Sequence, residues 1–122
     1  MAGKKKAQGR FRYKDCPSGL DEKIFYLIRR RRLQMLIYSY LYYKLDNSIL
    51  HDRDFDKMAL ELKELQKNYP EESKAVELYE EFKNWDGTTG YDLPLYLPFV
   101  EVIALRVLEE DKKYTEGNRK VP

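Results

Sequence analysis

The stretch Tyr42-Tyr43-Lys44-Leu45-Asp46-Asn47-Ser48-Ile49-Leu50-His51-Asp52-Arg53-Asp54-Phe55-Asp56 joins two amphipathic segments and gathers aromatic rings and carboxylates around one turn. Asp46-Asn47-Ser48 is turn chemistry, because short polar side chains bond their own backbone and tolerate left-handed φ. Asp52 offers a carboxylate cap for a second helix to about Asn68, with Phe55, Met58, Ala59, Leu62 and Leu65 recurring on one face. So short a connection predicts antiparallel packing, with the tyrosine end of the first helix beside the aspartate start of the second.

Upstream, Ser18-Gly19-Leu20-Asp21 provides a hydroxyl cap, and the first helix is predicted from near Ser18 to about Leu45. Leu20, Ile24, Leu27, Ile28, Met35, Leu36, Tyr40 and Leu41 follow helical spacing, interrupted by Arg29, Arg30, Arg31 and Arg32. Successive helical residues lie about 100° apart, so four consecutive arginines cannot all face solvent. At least one guanidinium must snorkel or pair, and an acidic partner is expected.

Downstream, Pro70 suits the first turn of a third helix, about Glu71 to Asn84, burying Ala75, Leu78, Tyr79 and Phe82. Asp86-Gly87-Thr88-Thr89-Gly90-Tyr91-Asp92-Leu93-Pro94 reads as a loop, and Pro98 opens a fourth helix through about Glu110. That helix is apolar on most sides, which suits a core element or one that covers a partner; its β-branched content leaves a strand as the alternative. The expected architecture is all-α: a helical hairpin plus two further helices in a small orthogonal bundle. It fills one domain over residues 18–111, between a flexible basic arm (1–17) and a polar tail (112–122).

At 122 residues and 43% apolar content the chain has material for one modest core. Its single Cys16 excludes an intramolecular disulfide, and no apolar run approaches the roughly 20 residues that span a bilayer. A soluble cytoplasmic protein without membrane contact is expected. The net charge of +2 hides a basic first quarter and an acidic remainder. Lys4, Lys5, Lys6, Arg10, Arg12 and Lys14, with Arg29 to Arg32, form a candidate surface for nucleic-acid phosphates, whose neutralisation releases counterions. The equal alternative is a solvated tail that maintains solubility.

Several chemistries are excluded. Asp52-Arg53-Asp54-Phe55-Asp56 opens like a calcium loop, but Lys57 stands where glycine is required and Lys63 where the closing glutamate should be. His51 is the only histidine and there is no cysteine pair, so neither a zinc site nor a Ser-His-Asp arrangement can be assembled. Glycine-rich dinucleotide and phosphate loops are lacking.

From about Arg32 to Pro70 the chain resembles the N-terminal helical domain (domain Ia) of bacterial NAD-dependent DNA ligases. That pattern runs Tyr-Tyr-x-Leu-Asp-x-Pro-x-Ile-Ser-Asp-x-Glu-Tyr-Asp, followed by Leu-x-x-Glu-Leu-x-x-Leu and His-Pro-Glu. Here Leu60-Glu61-Leu62-Lys63-Glu64-Leu65 and Tyr69-Pro70-Glu71 stand in the matching places. The resemblance implies recognition of NAD through its nicotinamide mononucleotide half, with Tyr42, Tyr43, Asp52, Phe55 and Asp56 as cofactor-binding residues. Phe55 replaces a tyrosine of the pattern, Ser48 a proline and His51 a serine or proline. The ligases' adenylylated Lys-x-Asp-Gly motif has only a misspaced echo in Lys83-Asn84-Trp85-Asp86-Gly87, and no catalytic residue is assigned. Stand-alone proteins of this size with such a hairpin look like those of bacteriophages, which would place the chain in a bacterial host cell. The expectation is a non-catalytic binding module in DNA metabolism, engaging NAD or a protein partner of the replication or repair machinery. The alternatives are a small nucleic-acid-binding protein and a domain that complements a ligase nucleotidyltransferase domain in trans.

Overall fold

The computed structural model describes residues 13–47, 49–87, 90 and 92–120, with side chains as far as residue 113. Lys4, Lys5, Lys6, Arg10 and Arg12 of the basic arm, and Ser48, Thr88, Thr89 and Tyr91 of the turns, lie outside them. Among the described residues there are five helices and no strand: α1 (Glu22–Leu45), α2 (Asp52–Asn68), α3 (Pro70–Ala75), α4 (Tyr79–Phe82) and α5 (Pro98–Lys120).

Both ends of the hairpin turn are set by local chemistry. Helix α1 stops where Asp46 takes a left-handed φ of 50°, and the Asn47 amide then donates to the Leu41 carbonyl at 2.8 Å. That bond satisfies a carbonyl otherwise orphaned at the helix end. Two caps differ from expectation. Asp21, rather than Ser18, caps α1 by accepting from the Ile24 amide at 3.1 Å. His51, rather than Asp52, caps α2, its Nδ1 accepting from the Arg53 amide at 3.2 Å. Asp52 is therefore the first helical residue, where its charge complements the helix dipole without being spent as the cap.

Helices α1 and α2 run antiparallel: Arg32 in the middle of α1 reaches Gln66 near the end of α2, whereas Tyr42 and Tyr43 at the end of α1 stand with Asp52 and Phe55 at the start of α2. Arg31 meets Glu61 at 2.8 Å, and Arg32 Nε donates to Gln66 Oε1 at 2.8 Å. Between them α1 and α2 bury Ile28, Met35, Leu36, Leu41, Ala59 and Leu62 of the apolar seam predicted by the helical spacing, together with Phe25. Helix α5 packs against α1 through Phe99, Val100 and Ala104 and leaves Val102 and Leu105 exposed. It extends to Lys120, beyond the expected end near Glu110, and it is a helix despite its β-branched content.

The arginine run resolves unevenly. Arg29 pairs with Glu77 at 2.9 Å and lies near the rings of Tyr13, Phe25 and Tyr26. Arg31 pairs with Glu61, and Arg30 is exposed. Arg32 is 0% exposed, and among the described residues its guanidinium has no carboxylate partner. Instead Nε donates to Gln66, Nη1 to the Val76 and Glu77 carbonyls, and Nη2 to the Ser73 carbonyl and hydroxyl, at 2.7–3.1 Å. All five guanidinium donors are thus occupied. Burial pushes its pKa down to about 10, against the opposing pull of Glu77, and the group remains a cation at neutral pH.

These bonds explain why the third helix expected over Glu71–Asn84 is broken. Arg32 claims carbonyls of Ser73, Val76 and Glu77, and the chain leaves helical geometry at Val76 and passes Leu78 at φ 73° before α4 starts. A left-handed leucine is unfavourable by itself, so this position is held by its surroundings.

Replacing Arg32 with Lys leaves three compact donors for five acceptors and is expected to destabilise the fold by roughly 2–4 kcal/mol in denaturant unfolding; Arg32→Ala should do at least as much harm. The Glu77 carboxyl would rise on burial, but hydrogen bonds from Arg29 and the Lys14 amide and the Arg29 charge hold it below the ordinary range. A depressed folded-state pKa means that the contribution is complete above the unfolded value, about 4.3, and is lost as pH falls through the folded one. The stability gap between the unaltered chain and Glu77→Gln, followed by thermal melts, should be constant near neutrality and close below about pH 4.3.

Candidate functional site

Where the end of α1 faces the start of α2, the chain encloses a cleft of about 190 Å³. Tyr42, Tyr43, Asp52 and Phe55, four of the five residues implied by the ligase resemblance, line it. The fifth, Asp56, lies one helical turn beyond Asp52 and is exposed, outside the lining. The fold therefore brings the rings and one acid together, with the second acid on the same side of α2 at the rim.

Tyr42 and Tyr43 are adjacent in sequence, and helical geometry alone would separate them by about 100°. Their rings nevertheless meet edge to face, with centroids 4.8 Å apart and planes at 86°. Each stays accessible, Tyr42 at 52% and Tyr43 at 39% exposure. Aromatic pairs of this geometry are favourable because the positive edge of one ring faces the negative face of the other. Phe55 is half-buried on the inner side of α2, and Asp52 is exposed at its first turn.

The remaining walls lie outside the five residues implied by the resemblance. Tyr38 and Ser39 stand one turn before Tyr42 and Tyr43, so the four-residue spacing that stacks side chains on one helical face places them in the same cleft. Asn47, Ile49 and Leu50 come from the connection, and Gly90 from the loop before α5. The i, i+4 relation was readable from the sequence; the contribution of Gly90, 51 positions beyond Ser39, was not.

Ser39 is 1% exposed, and its Oγ is the one buried side-chain polar atom among the described residues without a hydrogen-bond partner. An unsatisfied buried hydroxyl costs roughly 1–3 kcal/mol. Gly90 lies directly against it: a Cβ built on Gly90 would stand 1.7 Å from Ser39 Oγ and 2.5 Å from Ser39 Cβ. Only glycine fits there without displacing the serine.

The other candidates resolve as scaffold. Lys83 pairs with Glu80 at 2.7 Å beside the end of α4, and Gly87 turns at φ 82° against the Ala59 backbone, so Lys83 to Gly87 forms a helix exit. Among the described residues no His, Cys, Asp and Glu cluster could hold a metal ion, and no helix is long and apolar enough to cross a membrane. Lys14 of the basic arm is exposed, and its amide is held by Glu77.

Residues 22–75 match the family model of the DNA ligase-like, N-terminal NAD+-binding domain. The likeness read from the sequence is therefore shown for this segment, which runs from the first residue of α1 to the last of α3 and carries both sides of the cleft except Gly90. No match is found among curated proteins or solved structures.

Gly90→Ala should destabilise the ligase-like unit by about 1–3 kcal/mol through overpacking, measured by urea unfolding. Ser39→Ala in the same chain should recover part of that loss, because it removes the 1.7 Å conflict and leaves the one at 2.5 Å.

Proposed function

We propose that this protein is a non-catalytic ligase domain Ia-like module of DNA metabolism whose cleft between α1 and α2 takes the nicotinamide mononucleotide half of NAD. The observation that carries this reading is the convergence of Tyr42, Tyr43, Phe55 and Asp52 on one cleft within the segment that matches the NAD+-binding family. The nicotinamide ring of NAD is a delocalised cation. An aromatic face attracts it by roughly 0.5–2 kcal/mol according to desolvation. Asp52 supplies negative charge and hydrogen-bond acceptors beside it; Asp56, further along the rim, is placed to accept from ribose hydroxyls.

Cleft size supports binding of a part rather than the whole. Pockets that enclose a drug-sized ligand measure about 300–1,000 Å³. The 190 Å³ available here suits one ring, leaving the sugar and phosphates at the mouth. Phage origin, cytoplasmic location and a protein partner of the replication or repair machinery belong to the same proposal and rest on the resemblance alone.

Phosphate gripping by the arginine run is less well supported by the geometry. Arg29 and Arg31 are engaged with Glu77 and Glu61, and Arg32 is enclosed. Of the four, Arg30 is the exposed one, so that reading falls to the basic arm.

Calorimetric titration with nicotinamide mononucleotide and with NAD tests the proposal. Heat should be released with both, and Tyr42→Ala or Asp52→Ala should weaken binding about 5- to 30-fold, the effect of losing about 1–2 kcal/mol. No heat with either nucleotide would overturn the ligand and leave the fold.

A further inference from the structure

Resting on the reading of the cleft as a nicotinamide site, we infer that the Ser39 hydroxyl is a specificity-determining contact for the ring's carboxamide, completed by Gly90 from outside the ligase-like segment. Three observations converge on it. Ser39 lines the cleft; its Oγ is buried and unpartnered; and a backbone with no side chain, Gly90, is packed against it. Buried hydroxyls are nearly always hydrogen-bonded, so one buried without a partner in the wall of a ring-sized cleft is a polar contact awaiting its complement.

The chemistry of the ligand selects which group meets it. A cleft of about 190 Å³ admits the pyridinium ring beside Asp52, while ribose and phosphate stay outside, the ribose toward Asp56. The polar substituent that such a ring carries inward is its carboxamide, which both donates and accepts, and a serine hydroxyl can answer either half. The hydroxyl is buried with Gly90 packed against it, so an arriving amide has little hydration to displace from it. For the amide to reach the hydroxyl, the Gly90 backbone packed against Ser39 must yield to it, and glycine brings no side chain that would stand in the way. Because Gly90 follows the family-matched residues, the chain supplies this part of the wall from its own C-terminal half.

The test compares the unaltered chain with Ser39→Ala in titrations with nicotinamide mononucleotide and with the analogue that carries an unsubstituted pyridinium ring. Ser39→Ala should weaken the nicotinamide nucleotide about 5- to 20-fold and leave the amide-free analogue unchanged. Its urea midpoint should stay equal or rise, since the hydroxyl makes no bond in the free protein; a purely structural serine would lower it. Equal binding of nicotinamide mononucleotide by both chains, or equal weakening of both ligands, overturns the assignment of Ser39 alone. Absence of binding to the unaltered chain overturns the nicotinamide reading itself, and this inference falls with it.

Discussion

Five hydrogen bonds from one guanidinium hold the two halves of this chain in register. Arg32 leaves the middle of α1 and, through Gln66 of α2 and the Ser73, Val76 and Glu77 carbonyls, ties the hairpin to the segment that follows it. A buried cation is costly in a medium of low dielectric, and it survives here because every donor has an oxygen and the residual charge feels Glu77 nearby. The consequence spreads along the sequence. Diverted carbonyls break the third helix, Leu78 reverses the chain, and α4 then delivers Phe82 to the core, where its ring lies 5.9 Å from the Arg32 guanidinium and packs edge to face on Trp85. From there Gly87 reaches Ala59 and Gly90 reaches Ser39.

The cleft inherits its shape from the same hairpin that makes the core. Leu41 and Leu62 are fully buried, while Tyr42, Tyr43 and Asp52 emerge at the open end of the seam. His51 has a quiet part in this. By capping α2 with Nδ1 it leaves the Asp52 carboxylate available to the cleft, whereas Asp52 as the cap would have turned its oxygens toward its own backbone amides. A histidine standing where the ligase pattern has serine or proline therefore preserves the acid beside the rings.

Much of this was legible beforehand, and the misses share one cause. The hairpin, its turn at Asp46 and Asn47 and the face carrying Leu62 and Leu65 follow from periodicity and short-range turn chemistry, so the sequence reading found them. The break after Ala75 was invisible, because Glu71 to Asn84 has acceptable helical spacing and only Arg32, some forty positions earlier, claims the carbonyls. The expected acidic partner exists for Arg29 and Arg31, but for Arg32 the partners are carbonyls, a hydroxyl and an amide. Sequence patterns register charge pairs more readily than backbone oxygens. Ser39 and Gly90 were missed for the same reason: neither means anything until long-range packing sets one against the other.

That dependence bears on what the unit is. The family match ends at Ala75, yet Arg32 donates to Val76 and Glu77 just beyond it, and Phe82, Leu93, Phe99 and Val100 fill the core against α1. A chain cut at that boundary would retain the arginine and lose two of its five acceptors, together with the Glu77 carboxylate that pairs with Arg29. The same cut would also bare the apolar face of α1 that Phe82, Phe99 and Val100 help to cover, which is more damaging than losing an ion pair at the surface. The ligase-like segment and the residues after it are consequently one folding unit, in which the C-terminal half both neutralises the arginines of α1 and walls the cleft at its tyrosine-bearing end.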